Sequence, residues 1–226
     1  MVRRLRESGE AEPFKPWACY HTQPDTFTLS GQTVGVVGCA VGAPFAVLVA
    51  EQLFASGCRL LISVTSAGQI TASTPPPYFV IIDRALRDDG TSYHYAAPAE
   101  YAEAKPLLAK MAADALGGTV QHVLVGATWT TDAPFRETAD AIDLAKSKGV
   151  LAVEMEAAAL YAFAASAKAH VLCLARVTNT MGQAGDDFEK GEADGTRDAL
   201  AVLARLVNAF RELPGHDVET LSNGDG

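Results

Sequence analysis

Two glutamates that flank one methionine form the most specific chemical pattern in this sequence. Glu154, Met155 and Glu156 lie in the string VEMEAAALY, and the apolar residues around it predict a long helix over Ala152–Lys168. Residues two positions apart on a helix point about 200° apart, so the two carboxylates cannot perform the same task. The simplest interpretation is a pair of first-turn acids that the helix dipole favours. A binding role for either glutamate needs support from the rest of the sequence.

Four other segments place small or polar residues at the ends of predicted strands. They are Val37–Pro44 (VGCAVGAP), Ser63–Ile70 (SVTSAGQI), Thr128–Thr138 (TWTTDAPFRET) and Arg176–Asn179 (RVTN). A small-residue turn before a helix can bind an anion or a sugar through its backbone N–H groups. Such a turn is also common wherever a strand meets a helix, and the third segment is equally compatible with a capped loop around a buried aromatic residue.

Taken together, these strings resemble the motifs of the nucleoside phosphorylase family, from about Thr33 to about Asn179. In that family the methionine lies under the ribose, and the second glutamate accepts hydrogen bonds from the 2′- and 3′-hydroxyls. A carboxylate suits a vicinal diol because each of its oxygens can accept one O–H. The resemblance therefore implies that Met155 and Glu156 bind ribose, and that Ser66 contacts both ribose and phosphate.

The resemblance also implies a base pocket of the uridine phosphorylase type. Thr130 and Phe135 match residues that face the base, and Arg136 is the candidate for an adjacent polar contact. Asn179 stands where purine-cleaving members usually place an aspartate that protonates the base. An amide cannot donate a proton in that way, but it can hydrogen-bond a carbonyl or a ring N–H. Asn179 therefore favours a pyrimidine or a 6-oxopurine, with Glu156 and Asn179 as the catalytic candidates.

The nucleophile is the part of the family pattern that this sequence does not reproduce. Family phosphorylases hold phosphate with two or three arginines, but Ser63 stands where one is expected and no Gly-Asp-Pro-x-Arg loop is found. A serine cannot replace a guanidinium fork opposite a dianion. The remaining sources are the N-terminal arginines Arg3, Arg4 and Arg6, or Arg84 and Arg87 of a neighbouring subunit. Arg136 is expected on the base side and Arg176 after a buried strand, so neither is well placed to bind phosphate.

Three functions therefore stay open. The first is a phosphorylase, a glycosyltransferase of nucleotide salvage that makes ribose 1-phosphate and free base. The second is a nucleosidase that uses water in place of phosphate. The third is a catalytically silent protein that binds a nucleoside.

The elements around these segments alternate between strands and helices, which predicts one α/β domain over residues 1–226. We expect a three-layer α/β/α sandwich with a central mixed, twisted sheet. Residues 1–16 are expected to form a loose arm and residues 214–226 a disordered tail. The predicted strands are Thr26–Leu29 and Thr33–Gly38 as a hairpin, Leu60–Val64, Phe79–Ala85, His122–Thr128 and Val171–Val177. The predicted helices are Phe45–Ser56, Glu100–Leu116, Ala152–Lys168 and Asp194–Glu212. The buried run at 33–38, the helix after it and the strand at 60–64 predict a parallel crossover.

Composition limits the classes of partner. The net charge of −9 argues against nucleic-acid binding, and no apolar run is long enough to predict a membrane span. The four cysteines show no C-x-x-C spacing, which predicts reduced thiols in a cytoplasmic protein without a metal site. No metal or organic cofactor is implied. The expected partners are a nucleoside, phosphate if the chain is a phosphorylase, and further copies of the chain, because the family forms dimers or hexamers.

Overall fold

The computed structural model describes residues 1–19, 21–119, 121–180 and 195–214. Its strands are β1 (Ala11–Pro13), β2 (Asp25–Leu29), β3 (Gln32–Val36), β4 (Leu61–Gln69), β5 (Tyr78–Asp88), β6 (Tyr101–Glu103), β7 (Val123–Thr131), β8 (Ala152–Glu154) and β9 (Val171–Thr180). Its helices are α1 (Val2–Glu7), α2 (Ala43–Ala55), α3 (Ser92–Tyr95), α4 (Pro106–Leu116), α5 (Ala139–Ser147), α6 (Ala157–Ala167) and α7 (Thr196–Arg211). The predicted disordered tail lies outside the described residues, apart from Pro214.

The main sheet has six strands in the order β6-β5-β7-β8-β4-β9. Strand β5 is parallel to β7, β7 to β8, and β4 to β9, whereas the pairs β4–β8 and β5–β6 are antiparallel. The sheet is therefore mixed, as predicted. Strand β9 also pairs with β5 in the antiparallel direction, so the sheet closes on itself, which the sequence did not indicate.

Helices cover both faces of the sheet because successive side chains of a buried strand point to opposite faces. Along β5, Val80 and Ile82 pack in one cluster with α2 and α6. Phe79 and Ile81 pack in a second cluster with α4 and α7. The residues of β9 alternate between the same two clusters. This arrangement of strands between helices confirms the predicted α/β class.

Tyr161 fixes helix α6 to the sheet at the point where β5 and β9 separate. The last paired residues of this ladder are Ile81 and Leu174. At the next position the Tyr161 hydroxyl donates to the Ile82 carbonyl at 2.6 Å and accepts from the Cys173 N–H at 3.0 Å. Burial raises the pKa of Tyr161 well above its usual value, so the phenol is neutral and can make both bonds. These two hydrogen bonds fix the position of α6 relative to the sheet.

The N-terminal region differs from the sequence prediction in two ways. Residues 1–16 contain α1 and β1 rather than a loose arm, and β1, β2 and β3 form a separate three-stranded sheet. Leu5, Ala11 and Phe27 make a small core for this sheet, and Arg6 is paired with the buried carboxylate of Asp25. Because β3 lies in the small sheet, the predicted crossover from β3 to β4 is wrong, and β4 instead pairs in parallel with β9.

Two predicted helices begin later than expected. The helix predicted over 100–116 starts at Pro106, because a proline is tolerated in a first helical turn but not in a helix interior. The residues before it form β6, which pairs with β5. The helix predicted over 152–168 starts at Ala157, and the residues before it form β8 between β4 and β7. The remaining predicted elements are confirmed with shifted ends. Among the described residues, no helix is long and apolar enough to cross a membrane.

Candidate functional site

Glu156 lies where three segments of the chain meet. Its Oε1 accepts the Gly42 N–H at 2.7 Å, and its Oε2 accepts the Thr65 hydroxyl at 2.9 Å. The residue is 5% exposed and precedes the first residue of α6. A carboxylate has about four lone-pair sites, so each oxygen retains the capacity for one more hydrogen bond. The group is therefore oriented by the protein and still able to accept two ligand hydroxyls.

Gly42 supplies the backbone donor from the small-residue turn between β3 and α2. Its φ of 89° and ψ of 147° are disfavoured for residues with a Cβ, so glycine permits the conformation that aims this N–H at Glu156. The sequence indicated a small-residue turn whose N–H groups can bind an anion or a sugar. In the structure, the N–H of Gly42 binds the carboxylate that is the candidate ligand contact.

Thr65 was not among the predicted site residues, although it donates to Glu156. The neighbouring residue Ser66, which was predicted to bind ribose and phosphate, is exposed. Adjacent residues of a strand point to opposite faces, so the hydroxyls of Thr65 and Ser66 cannot both face Glu156. The period of two along β4 was the signal that could have identified Thr65, since Leu61 packs in the same cluster as α6.

Glu154 is a buried carboxylate at the end of β8, and it shapes the start of α6. Its Oε2 accepts the N–H groups of Glu156 and Ala157, both at 2.7 Å. Its Oε1 accepts the hydroxyls of Thr128, at 3.2 Å, and of Thr130. Burial, opposed by these hydrogen bonds, raises the pKa of Glu154 to about 7. Glu154 therefore satisfies backbone donors that a helix end would otherwise leave unpaired.

The other predicted residues are not all brought to Glu156. Thr130 is fully buried, and its hydroxyl accepts the Ala158 N–H at 2.9 Å while it donates to Glu154. A base contact by Thr130 would therefore require its hydroxyl to change partners. Phe135 is fully exposed, and Arg136 is exposed beside it, on the 3-10 turn Pro134–Arg136.

Met155 and Asn179 are half-buried, so both retain surface that a ligand could reach. Met155 directly precedes Glu156 in the chain. The Asn179 Oδ1 accepts a hydrogen bond from the Thr178 hydroxyl at 3.3 Å. That bond leaves the amide NH₂ of Asn179 as the group able to donate to a ligand.

No cation pairs with Glu156 among the residues that the structure describes. Arg87, one of the predicted sources of a phosphate ligand, is buried and donates to the Ser92 hydroxyl and to the carbonyls of Ala96 and Ala97. Its guanidinium also lies 4.2 Å from the centre of the Tyr93 ring. These contacts occupy Arg87 within its own loop. Within the same described ranges, no group of three His, Cys, Asp or Glu side chains could hold a metal ion.

The pKa of Glu154 predicts a specific pH dependence of stability. The folded state raises this pKa from 4.5 to about 7, so it binds the proton more tightly than the unfolded state. The free energy of unfolding should therefore fall by about 3 kcal/mol as the pH rises from about 4.5 to about 7. Glu154→Gln should remove this component. Urea titrations at about pH 5 and about pH 8 measure it, with the exposed Glu103→Gln as the control that retains it. An equal slope in Glu154→Gln and wild type would contradict the assignment.

Comparison with known proteins places these residues in a family context. A family model described as the phosphorylase superfamily matches residues 4–210. A "Purine nucleoside phosphorylase DeoD-type" of Bacillus cereus is 32% identical over 156 residues, which are 68% of this chain and 66% of that protein. Proteins of the same name from Bacillus thuringiensis (strain Al Hakam) and Bacillus mycoides (strain KBAB4) match with the same identity and coverage. The matched region thus spans just under two thirds of the length of these relatives.

Proposed function

The chain belongs to the phosphorylase superfamily, and from that premise we propose that it binds a ribonucleoside and cleaves its N-glycosidic bond with inorganic phosphate. The products would be ribose 1-phosphate and the free base. The observation that carries the proposal is the position of Glu156, whose two oxygens are each held by one protein donor and each keep one acceptor site. That geometry suits the two adjacent hydroxyls of a ribose.

In the proposed reaction, phosphate oxygen bonds to the anomeric carbon while the bond from that carbon to the base nitrogen breaks. The ribosyl group passes through a transition state that resembles an oxocarbenium ion. Glu156 holds the 2′- and 3′-hydroxyls, and its negative charge stabilises the positive charge that develops on the sugar. The bonds from Gly42 and Thr65 orient the carboxylate before substrate binds, so little reorganisation is needed during the reaction.

For the leaving base we propose a 6-oxopurine. The relatives are named purine nucleoside phosphorylases, which supports a purine over a pyrimidine. Asn179 supports the 6-oxo class, because its amide NH₂ can donate to a carbonyl oxygen or to a ring nitrogen as negative charge develops on the base. Phe135 and Arg136 remain our proposed contacts on the base side, and Met155 the proposed contact beneath the sugar.

Substitution of Glu156 tests the ribose assignment. Glu156→Ala should raise the activation free energy for kcat/KM by at least about 2 kcal/mol, or about 30-fold, because a charge-assisted bond is lost. Glu156→Gln should fall between alanine and wild type, since one acceptor oxygen remains. Steady-state kinetics with inosine gives both values, and the exposed Glu103→Gln is the matched control. Unchanged turnover and unchanged nucleoside affinity in Glu156→Ala would refute this role.

A nucleosidase that attacks with water is the second candidate. It is favoured by Ser63, which stands where the family pattern has an arginine, and by Arg87, which is occupied by carbonyls of its own loop. A dianion that binds without a guanidinium fork is held weakly. If phosphate is the nucleophile, we therefore expect it to bind with a Kd of about 1 mM, which corresponds to about −4 kcal/mol.

An assay with and without phosphate separates the candidate functions. Inosine, guanosine, adenosine and uridine are incubated with the protein, and base release is followed by chromatography. A phosphorylase releases base only when phosphate is present, and we expect the first two nucleosides to be cleaved fastest. Equal release without phosphate would assign the chain as a nucleosidase. Calorimetric binding of a nucleoside without any release would assign it as a silent binder.

We also propose a homo-oligomer in which a neighbouring subunit covers part of the site. Two exposed apolar side chains support this: Phe135 is fully exposed, and Val41, next to Gly42, is 64% exposed. Light scattering at micromolar concentration should give at least the mass of a dimer. A stable monomer would contradict the proposed assembly.

All four cysteines are thiols rather than disulfides, which supports a reducing compartment such as the cytoplasm.

A further inference from the structure

Arg176 is a buried cation whose donors are not satisfied. The residue is 7% exposed, yet neither its Nε nor its Nη2 has a hydrogen-bond partner among the described residues. The nearest carboxylate is that of Asp198, whose Oδ2 lies 3.7 Å from Nη2, and the Asp198 side chain is 41% exposed. A guanidinium carries five N–H donors, and burying them unpaired is unfavourable. Two of its nitrogens therefore carry N–H groups that acceptor oxygens would stabilise.

Arg176 lines a cavity of about 250 Å³. Leu172 and Leu174 precede Arg176 on the same face of β9 and pack with α4 and α7. Glu156 directly precedes α6, which packs on the opposite face. The cavity is therefore separate from the candidate ribose site. Its other lining residues are Pro77, Tyr78, Phe79, Gln121, His122 and Asp198.

The N-terminus of α7 meets the guanidinium of Arg176. A Cβ added to Gly195 would clash with the Arg176 guanidinium, so only glycine allows this approach. Helix α7 begins at the next residue and has no side-chain cap. The hydroxyl of Thr196 in its first turn is buried without a partner among the described residues. The positive end of a 16-residue helix, an unpaired guanidinium and an unpaired hydroxyl together favour an anion.

We propose that Arg176 and the N-terminus of α7 form a binding site for a tetrahedral oxyanion, either inorganic phosphate or a phosphate monoester. The site goes beyond the proposed function and does not depend on it. Asp198 occupies the position of a weak counter-ion. Because its side chain is partly exposed, it can turn towards solvent when the anion enters. Its like charge keeps the affinity low in the wild-type protein.

Calorimetric titration with inorganic phosphate at constant ionic strength tests the site. We expect wild-type protein to bind phosphate with a Kd of about 1 mM. Asp198→Asn should tighten binding about tenfold, because it removes the competing carboxylate and keeps a polar side chain. Arg176→Met should weaken binding at least about tenfold, and Thr196→Val by a smaller factor. If Arg176→Met fails to fold, the expected increase in phosphate affinity of Asp198→Asn still tests the site.

Two controls separate this site from other sources of phosphate binding. Arg205→Met removes an exposed arginine from the middle of α7 and should leave phosphate binding unchanged. Arg59→Met removes an exposed arginine before β4 and should also leave phosphate binding unchanged. Glycerol 3-phosphate serves as the monoester probe, and the tighter of the two probes identifies the source of the anion. No binding to wild type or Asp198→Asn at about 10 mM, or equal binding in wild type and Arg176→Met, would overturn the proposal.

Discussion

The candidate site depends on one buried carboxylate that is not itself the predicted ligand contact. Glu154 accepts two backbone N–H groups at the start of α6 and two threonine hydroxyls from β7. With these bonds, β8 ends at Glu154 and α6 begins only three residues later, at Ala157. The chain turns between the two elements, so the side chain of Glu156 points in a different direction from that of Glu154. A helix over the whole string VEMEAAALY would have left the carboxylate of Glu154 without these donors. The turn is therefore stabilised because it pairs the buried carboxylate of Glu154 with backbone N–H groups that would otherwise lack a partner.

The two glutamates consequently differ in what their oxygens can still do. Glu154 accepts four hydrogen bonds, which matches the capacity of a carboxylate, and burial raises its pKa. Glu156 accepts two, from Gly42 and Thr65, so half of its capacity remains. Glu154 and Glu156 were expected to differ in task because they are two residues apart on a helix, and in the structure they do make different hydrogen bonds. The two carboxylates are not separated by helical geometry. They are separated because Glu154 ends β8, whereas Glu156 precedes α6.

Much of the fold could be predicted from the sequence, because buried strands and amphipathic helices carry strong periodic patterns. The family motifs also drew attention to Glu156 and to the small-residue turn that contains Gly42, and the structure brings these two residues together. Thr65 was missed because the choice between neighbouring hydroxyls depends on which face of β4 meets α6, and that is fixed by pairing with β8 and β9. The small N-terminal sheet was missed because residues 1–16 show no clear periodicity, and their order comes from contacts with β2 and β3.

The arginines show most clearly what sequence alone cannot supply. Arg87 and Arg176 both lie near the ends of buried strands, and both are 7% exposed. The loop that follows β5 folds back and gives Arg87 two carbonyls and a hydroxyl, whereas Arg176 faces Gly195, which has no side chain to accept a bond. The difference arises from tertiary contacts between segments that are distant in sequence. In a chain with a net charge of −9, the sum of charges says little about where an anion binds. We expect an anion to bind where the fold leaves a buried cation without hydrogen-bond acceptors.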